Sequence, residues 1–222
     1  MTSVLVIGAS RGIGLELVRQ YREAGCAVTA TARSGEGLAR LRALGATARP
    51  LDVTQAAGTP ATPWLLQGEA FDVVVLCAGI FGPRTEGLQP PADADFDAVM
   101  HTNVRGAMRV LPLVVGALAP GARLAVLSSR LGSIGLRANA NGWLYRASKA
   151  ALNSVLKDVS LELAGKALCV ALHPGWVRTD MGGAGGDIDV HTSAADLRRL
   201  LAALTPAHHG GFFNHDGQPL AW

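Results

Sequence analysis

The segment VLVIGASRGIG, residues 4–14, joins a short apolar run to a glycine-rich turn and then to a helical pattern. The run Val4–Ile7 predicts a buried strand, and Gly12–Ala24 predicts the helix that follows it. The intervening glycines permit a tight turn and allow another group to approach the backbone closely. A glycine turn between a strand and a helix N-terminus indicates a site for an anionic ligand.

The same alternation continues along the chain. Further strands are predicted at Ala27–Thr31, Ala46–Leu51, Val73–Leu76, Leu124–Ser128, Leu168–Leu172 and Gly211–Asn214. Further helices are predicted at Gly35–Leu44, Asp95–Leu118, Trp143–Ala164 and Ser193–Leu204. Strand–helix alternation predicts an α/β fold with a doubly wound parallel sheet of about seven strands and helices on both faces, a Rossmann fold.

Length and composition predict one domain over residues 1–222, since 49% of the residues are hydrophobic and 17% are charged. A net charge of +3 with scattered arginines gives no basic stripe, so nucleic acid is not an expected partner. The chain lacks a secretory start and any apolar run of about 18 residues, which predicts a cytoplasmic protein without a membrane span. The spacing of Cys26, Cys77 and Cys169 predicts buried free thiols, and the histidines show no metal spacing.

The irregular segments mostly follow strand carboxyl ends, where such folds build ligand sites. These segments are Thr54–Pro63, Gly79–Pro91, Gly132–Gly142 and Met181–His191. The last carries four glycines, which predict either a mobile lid that becomes ordered around bound ligands or a plain surface loop. Near the cleft mouth, the sequence offers an apolar substrate wall or ordinary core packing at Phe81, Trp143, Trp176 and Met181.

The end of the second predicted strand bears on the choice of dinucleotide. NAD-binding folds tend to carry an acid there for the ribose 2′-hydroxyl, whereas this chain has Arg33 and no acid. Arg33, helped by Arg11, is suited to a 2′-phosphate, which predicts NADP(H). The alternative is that both are ordinary solvated arginines.

Tyr145 and Lys149 are four residues apart near the start of a predicted helix and therefore share one face. A nearby cation lowers the pKa of a phenol toward the range in which acid–base catalysis is efficient. Alone, such a pair is better explained as a chance pair on a helix surface. Three further features change that interpretation. They are a serine pair ending at Ser129 after the fifth predicted strand, the segment His173–Thr179 after the sixth, and Asn103 inside a helix, where asparagine is mildly unfavourable.

In this order, the motifs resemble the short-chain dehydrogenase/reductase superfamily over nearly the whole chain. The Gly-x-x-x-Gly-x-Gly spacing of residues 8–14 is the form that this superfamily carries. SRLGSI at 129–134, YRASKAALN at 145–153 and GGFFNHDG at 210–217 are similar to the sniffer-type carbonyl reductases and bacterial C-factor proteins. The resemblance implies an NADP(H)-dependent oxidoreductase that reduces an aldehyde or ketone to an alcohol.

The resemblance also implies residue roles. Tyr145 would be the general acid, Lys149 would hold the nicotinamide ribose, Ser129 would bind the substrate oxygen, and Asn103 would position a water. The implied cofactor contacts are Gly8, Ser10, Arg11, Gly12, Ile13, Gly14, Arg33, Asp52, Val53, Ala78, Gly79, Tyr145, Lys149, Pro174, Gly175, Val177 and Thr179. A turn-capping role explains Asp52 almost as well. No metal site is implied, and the implied assembly is a homodimer or homotetramer.

The chain departs from the family pattern at two polar positions, which are Ile7 and Cys77 here. The longer spacing before Tyr145 leaves Ser128 or Ser133 as an alternative to Ser129. These departures keep a second function open, a dinucleotide-binding regulatory or signalling protein of the same fold with little turnover.

Overall fold

The structure, a computed structural model, describes residues 1–55 and 70–222, so the segment Thr54–Pro63 lies largely outside the described residues. The strands are β1 Ser3–Ile7, β2 Ala27–Ala32, β3 Thr47–Pro50, β4 Phe71–Leu76, β5 Leu118–Leu127, β6 Leu168–His173 and β7 Gly211–Asn214. The α-helices are α1 Gly12–Glu23, α2 Gly35–Ala43, α3 Asp93–Met100, α4 Gly106–Val115, α5 Trp143–Glu162 and α6 Val190–Ala203. Short 3₁₀ turns lie at Arg130–Gly132 and Pro206–His208.

These strands form one parallel sheet in the order β3-β2-β1-β4-β5-β6-β7. Val4 of β1 pairs with Val28 of β2 on one side and with Val73 of β4 on the other. The chain winds outward from β1 to β3 and then outward in the opposite direction from β4 to β7. The predicted doubly wound Rossmann sheet is therefore confirmed. In such sheets a ligand crevice opens at the carboxyl ends where the winding reverses, here between β1 and β4.

Two hydrophobic clusters cover the two faces of the sheet. Leu111 of α4 and Leu156 of α5 are fully buried on one face, and Leu17 of α1 and Leu197 of α6 on the other. Because strand side chains alternate between faces, β1, β4, β5, β6 and β7 contribute apolar residues to both clusters, whereas those of β2 and β3 belong to the second cluster. Among the described helices, none is both long and apolar enough to cross a membrane.

The helix predicted at Asp95–Leu118 is not continuous. The structure divides it into α3, a π turn at His101–Arg105, and α4. The π turn contains Asn103, whose amide Nδ2 donates to the main-chain oxygen of Ile80 and whose Oδ1 accepts from the Ile80 amide, both at 2.8 Å. An extra residue in one turn lets the side chain reach another segment, and a local helical pattern gives no sign of it.

Two further elements, β5 and α6, begin earlier than predicted. A hydrogen bond to a distant strand explains the first, and a side-chain helix cap explains the second. β5 begins earlier, at Leu118, since the carbonyl of Ala117 already accepts a hydrogen bond from the Phe71 amide at 2.8 Å. α6 also begins earlier, because the carboxylate of Asp189 caps it by accepting from the Thr192 amide at 2.8 Å.

The three cysteines are free, as expected, but they differ in burial. Cys169 is fully buried in the sheet, whereas Cys26 and Cys77 are half-buried. The predicted burial is therefore complete for Cys169 and partial for Cys26 and Cys77.

The glycine-rich segment 181–191 packs against the strand exit that precedes it. The amide of Arg178 donates to the carbonyl of Ile188 at 3.0 Å, and Val177 forms a bridge with the same residue. A Cβ atom at Gly182 would lie 2.0 Å from the main-chain oxygen of Val177, a distance that no side chain tolerates. Close packing thus explains this glycine, and the predicted mobility of the segment stays a prediction.

We expect Gly182→Ala to destabilise the fold by about 1–3 kcal/mol, because the Val177 carbonyl would have to move. Gly185→Ala is the matched control, since its Cβ would meet two ring carbons of Trp176 at the ordinary contact distances of 3.4 and 3.5 Å. Thermal unfolding of both variants separates the clash from the general effect of replacing glycine. Equal melting temperatures would show that the segment yields easily and would favour the mobile loop.

Candidate active site

A cleft of about 330 Å³ opens at the carboxyl ends of the strands, within the usual range for small-molecule sites. The predicted site residues that line it are Gly8, Ser10, Arg11, Gly12, Ile13, Gly14, Arg33, Asp52, Val53, Ala78, Gly79, Tyr145, Lys149, Pro174 and Thr179. Two predicted cofactor residues do not line it. Val177 is buried against Ile188, and Gly175 packs against Ile188 and His215.

The turn between β1 and α1 leaves the helix N-terminus open toward the cleft. No side chain caps α1, and its first turn carries no acidic residue. The first amide groups of a helix have no partner within the helix, and the helix dipole makes this end positive. Gly8 adopts φ +83°, and a Cβ there would lie 2.7 Å from the amide nitrogen of Ala78. This bare, close-packed turn fits the pyrophosphate of a dinucleotide.

The two departures at Ile7 and Cys77 have a structural explanation. Ile7 is fully buried in the core, and the Cys77 amide donates to its carbonyl at 2.8 Å. The Gly8 amide finds a polar partner elsewhere, donating to the hydroxyl of Thr31 at 3.1 Å. Thr31 lies on β2 and is fully buried. The turn therefore keeps a hydroxyl acceptor, supplied by the neighbouring strand.

Arg33 lies exposed at one end of the cleft, and within the described part of the chain its side chain has no hydrogen-bond or ion-pair partner. Asp52 lies nearby and accepts from the amide and hydroxyl of Thr54, at 2.9 and 2.8 Å. Burial works to raise the pKa of Asp52, but the Thr54 hydrogen bonds and the Arg33 charge together lower it. Asp52 thus caps its turn and also lines the cleft.

Arg11 carries a partner that the sequence analysis missed. Its Nη1 lies 3.0 Å from Oδ2 of Asp180, and both side chains are largely exposed. Asp180 also lines the cleft, directly after Thr179. An exposed pair of this kind contributes little to stability, so Arg11 is free to exchange the carboxylate for another anion.

Tyr145 and Lys149 lie together on the buried face of α5. The ammonium nitrogen of Lys149 is 5.7 Å from the centroid of the Tyr145 ring and donates to the carbonyl of Leu127 at 2.8 Å. Burial lowers the pKa of Lys149 to about 8, although the neighbouring Cys77 works in the opposite direction. Within the described part of the chain, no carboxylate forms an ion pair with this ammonium group.

The pKa of Tyr145 departs from the sequence-based expectation. Burial raises it to about 12, and a hydrogen bond with Ser129 only partly offsets that rise. The expected lowering of the phenol pKa by Lys149 is not found, because desolvation of the phenolate by burial is the dominant effect. The phenol is therefore protonated at neutral pH.

The structure distinguishes the three candidate serines. Ser129 forms the hydrogen bond with Tyr145, whereas Ser128 donates to Oδ1 of Asn153 in the core. Ser133 donates to the main-chain oxygen of Trp222 at 3.3 Å. The structure thus brings Ser129 to the tyrosine, and its hydroxyl also accepts from the Leu131 amide at 3.1 Å. Of the three serines, however, Ser128 lines the cleft and Ser129 does not.

Asn103 is buried below the cleft and approaches the same point as Lys149. A Cβ atom at Gly79 would lie 3.3 Å from both Oδ1 of Asn103 and Nζ of Lys149. Asn103 Nδ2 also donates to the hydroxyl of Ser148 at 2.9 Å. Its side chain is therefore fixed by two segments, and Gly79 leaves open the space that the two polar groups face.

Phe81 stacks on Tyr145, with ring centroids 4.4 Å apart. Of the four apolar residues expected at the cleft mouth, Phe81 thus contacts a predicted catalytic side chain and Met181 lines the cleft. Trp143 and Trp176 instead donate their ring N–H groups to the carbonyls of Gln89 and Gly182. The sequence predicted that these four residues lie near the mouth of the cleft, but it gave no indication that Phe81 stacks on Tyr145.

A family model for short chain dehydrogenases matches residues 2–187. C-signal from Myxococcus xanthus is 36% identical over 154 residues, covering 68% of this chain and 92% of that protein. The carbonyl reductase Sniffer of D. melanogaster superposes with a TM-score of 0.90 at 28% identity, and each chain is fully covered. A carbonyl reductase from Pseudomonas aeruginosa PAO1 in complex with NADP gives a TM-score of 0.88 at 32% identity, also with full coverage of both chains.

We expect Lys149→Met to stabilise the cofactor-free protein by about 1–3 kcal/mol at pH 7, because it removes a buried ammonium group. In the wild type, the folded state releases the proton near pH 8 and the unfolded state near its usual 10.5. Wild-type stability therefore recovers as the pH rises through this window, and the difference between the proteins shrinks. Below this window both states are protonated and the full difference remains.

Thermal unfolding at pH 7 and pH 10 measures this difference. Lys157→Met, an exposed position of the same helix, controls for the loss of a lysine. If the difference in stability between the wild type and Lys149→Met is the same at both pH values, the lowered pKa of Lys149 is contradicted.

Proposed function

Because the chain belongs to the short chain dehydrogenase family, we propose that it is an NADP(H)-dependent carbonyl reductase that converts an aldehyde or ketone to an alcohol. The observation that carries this proposal is the meeting of Tyr145, Ser129 and Lys149 beside a cleft that begins at an uncapped helix N-terminus. Consumption of NADPH with a panel of small aldehydes and ketones tests it. The proposal treats residues 1–222 as one dehydrogenase domain.

The cofactor assignment is supported by the charges along the cleft. The amides at the start of α1 would bind the pyrophosphate, and the exposed guanidinium of Arg33 would bind the 2′-phosphate. Arg11 would assist after leaving Asp180. The NADP complex of the P. aeruginosa carbonyl reductase, similar over its full length, supports the same choice. When bound, NADPH supplies the hydride.

Tyr145 would donate its hydroxyl proton to the carbonyl oxygen of the substrate. Its raised pKa suits reduction, because the phenol remains protonated until the carbonyl oxygen gains negative charge. The hydroxyl of Ser129 would hold the same oxygen. The Lys149 ammonium would stabilise the phenolate that remains, and its pKa near 8 allows it to pass on a proton at neutral pH.

Asn103 would act through a water molecule rather than on the substrate. Its Oδ1 and the Lys149 nitrogen both face the space above Gly79. A water held there would connect the lysine to solvent and return the proton to Tyr145. The buried contacts of Asn103 with Ile80 and Ser148 fix that geometry.

A second function, a regulatory or signalling protein with little turnover, is favoured by the likeness to C-signal. The structure gives it less support at one of the two departures, since Thr31 supplies a hydroxyl to the turn that Ile7 leaves without one. NADPH binding without consumption across the carbonyl panel would favour this function over reduction.

We also propose that the chain forms a homodimer or homotetramer through α4 and α5. Met108 on α4 and Leu161 on α5 are large apolar side chains that are more than half exposed. Apolar side chains on the outer faces of neighbouring helices are suited to a second copy of the chain.

Tyr145→Phe tests the acid assignment. We expect NADPH affinity to stay nearly unchanged while kcat/KM for carbonyl reduction falls by about 10²–10⁴-fold, the usual contribution of general acid catalysis. Tyr21→Phe is the matched control, because Tyr21 is the other of the two tyrosines in the chain and is also buried. Cofactor titration and steady-state kinetics give the two readouts. Full activity in Tyr145→Phe would overturn the mechanism.

Arg33→Asp tests the choice of cofactor. We expect the wild type to bind NADPH more tightly than NADH, and the variant to lose or reverse this preference by placing an acid near the ribose. Arg42→Asp, an exposed arginine of α2 outside the cleft, is the control for charge alone. Equal affinity of the wild type for both cofactors would contradict the assignment.

A further inference from the structure

Arg84 does not line the cleft itself but lies at its rim, where its Nη2 donates to the main-chain oxygen of the cleft-lining residue Met181. Its guanidinium carbon is 5.0 Å from the centroid of Phe81, which in turn stacks on Tyr145. The distance from the guanidinium carbon to the centroid of the Tyr145 ring is therefore at most the sum of these two distances. This separation suits a small substrate whose carbonyl is at Tyr145 and whose other end contacts Arg84.

The side chain of Arg84 has unused binding capacity. It is exposed, and it donates one hydrogen bond, from Nη2 to the main-chain oxygen of Met181 at 3.2 Å. Within the described residues it forms no ion pair with a carboxylate. A guanidinium has five N–H donors, so most of them remain for a ligand. Its partners in the structure, a ring face and a carbonyl, do not neutralise its charge.

Two segments beside Tyr145 carry an excess of positive charge. Residues 79–92 and 128–142 contain Arg84, Arg130 and Arg137 against the single acid Glu86. The segments are joined directly, since the Gly142 amide donates to the Thr85 carbonyl at 3.0 Å. Arg84 is the arginine of this group that lies on the ring stack leading to Tyr145.

We propose that Arg84 is a specificity-determining residue that selects carbonyl substrates carrying a carboxylate. A guanidinium binds a carboxylate through paired, charge-assisted hydrogen bonds, and that of Arg84 lies over the Phe81 ring. The carboxylate is anchored at the rim while the carbonyl oxygen lies at Tyr145. This inference rests on the proposed reductase function and adds the substrate class.

The test compares two aldehydes of similar shape, 4-carboxybenzaldehyde and its neutral methyl ester. With wild-type protein and NADPH, we expect kcat/KM to favour the acid by roughly tenfold, mainly through KM, and salt to reduce the preference. Arg84→Gln removes the preference, because kcat/KM for the acid falls to the level of the ester. Arg84→Lys retains part of it, because a lysine keeps the charge but not the paired donors.

Arg42→Gln, which lies outside the cleft, is the matched control and retains the preference. Equal kcat/KM for the two aldehydes overturns the inference and leaves the proposed function standing. A preference that persists in Arg84→Gln and disappears in Arg130→Gln also overturns it.

If neither aldehyde is reduced, the proposed function fails with these compounds and calorimetry decides the inference. In that case the NADP⁺-saturated wild type must bind 4-carboxybenzaldehyde more tightly than the ester, and Arg84→Gln must not. Equal binding of the two compounds would reject the role of Arg84.

Discussion

The close approach of two backbones, at Gly8 after β1 and at Ala78 after β4, is the constraint on which the site depends. A Cβ atom at Gly8 would lie 2.7 Å from the Ala78 amide nitrogen, so only glycine permits the contact. It occurs where the winding of the sheet reverses, and it brings the start of α1 beside Gly79. The anion-binding helix end and the space faced by Lys149 consequently belong to one cleft.

The two side chains with proposed proton-transfer roles, Tyr145 and Lys149, are both buried, which is unfavourable for their charged forms. Lys149 and Tyr145 are both desolvated, which lowers one pKa and raises the other, so each group is pushed toward its neutral form. A polar frame holds them there, in which the Leu127 carbonyl accepts from the ammonium group and Ser129 bonds the phenol. Residues kept in an unfavourable state by surrounding structure are typical of functional sites.

Two exposed arginines, Arg33 in the cleft and Arg84 at its rim, have no ion-pair partner within the described part of the chain. Arg33 is open at the end proposed for the cofactor phosphate, and Arg84 is open at the end proposed for the substrate. A third arginine of the cleft, Arg11, forms an exposed ion pair with Asp180. On the proposed roles, this separation would let two anionic groups bind without competing for one cation and would give the cofactor and the substrate separate determinants of specificity.

The sequence by itself determined the features that follow from local periodicity: the strand–turn–helix at residues 4–14, the alternation that gives a doubly wound sheet, and the common face of Tyr145 and Lys149. Only the tertiary structure decided that Ser129, rather than its neighbours, reaches Tyr145, and that Thr31 supplies the hydroxyl missing at Ile7.

The same is true of the π turn, the contact of Arg11 with Asp180, and the stack of Phe81 on Tyr145. Each of these contacts joins segments that are far apart in the chain. Arg11 and Asp180, for example, are separated by 169 positions. Helical and strand periodicities describe which face a residue occupies, and they carry no information about which distant residue will pack against that face.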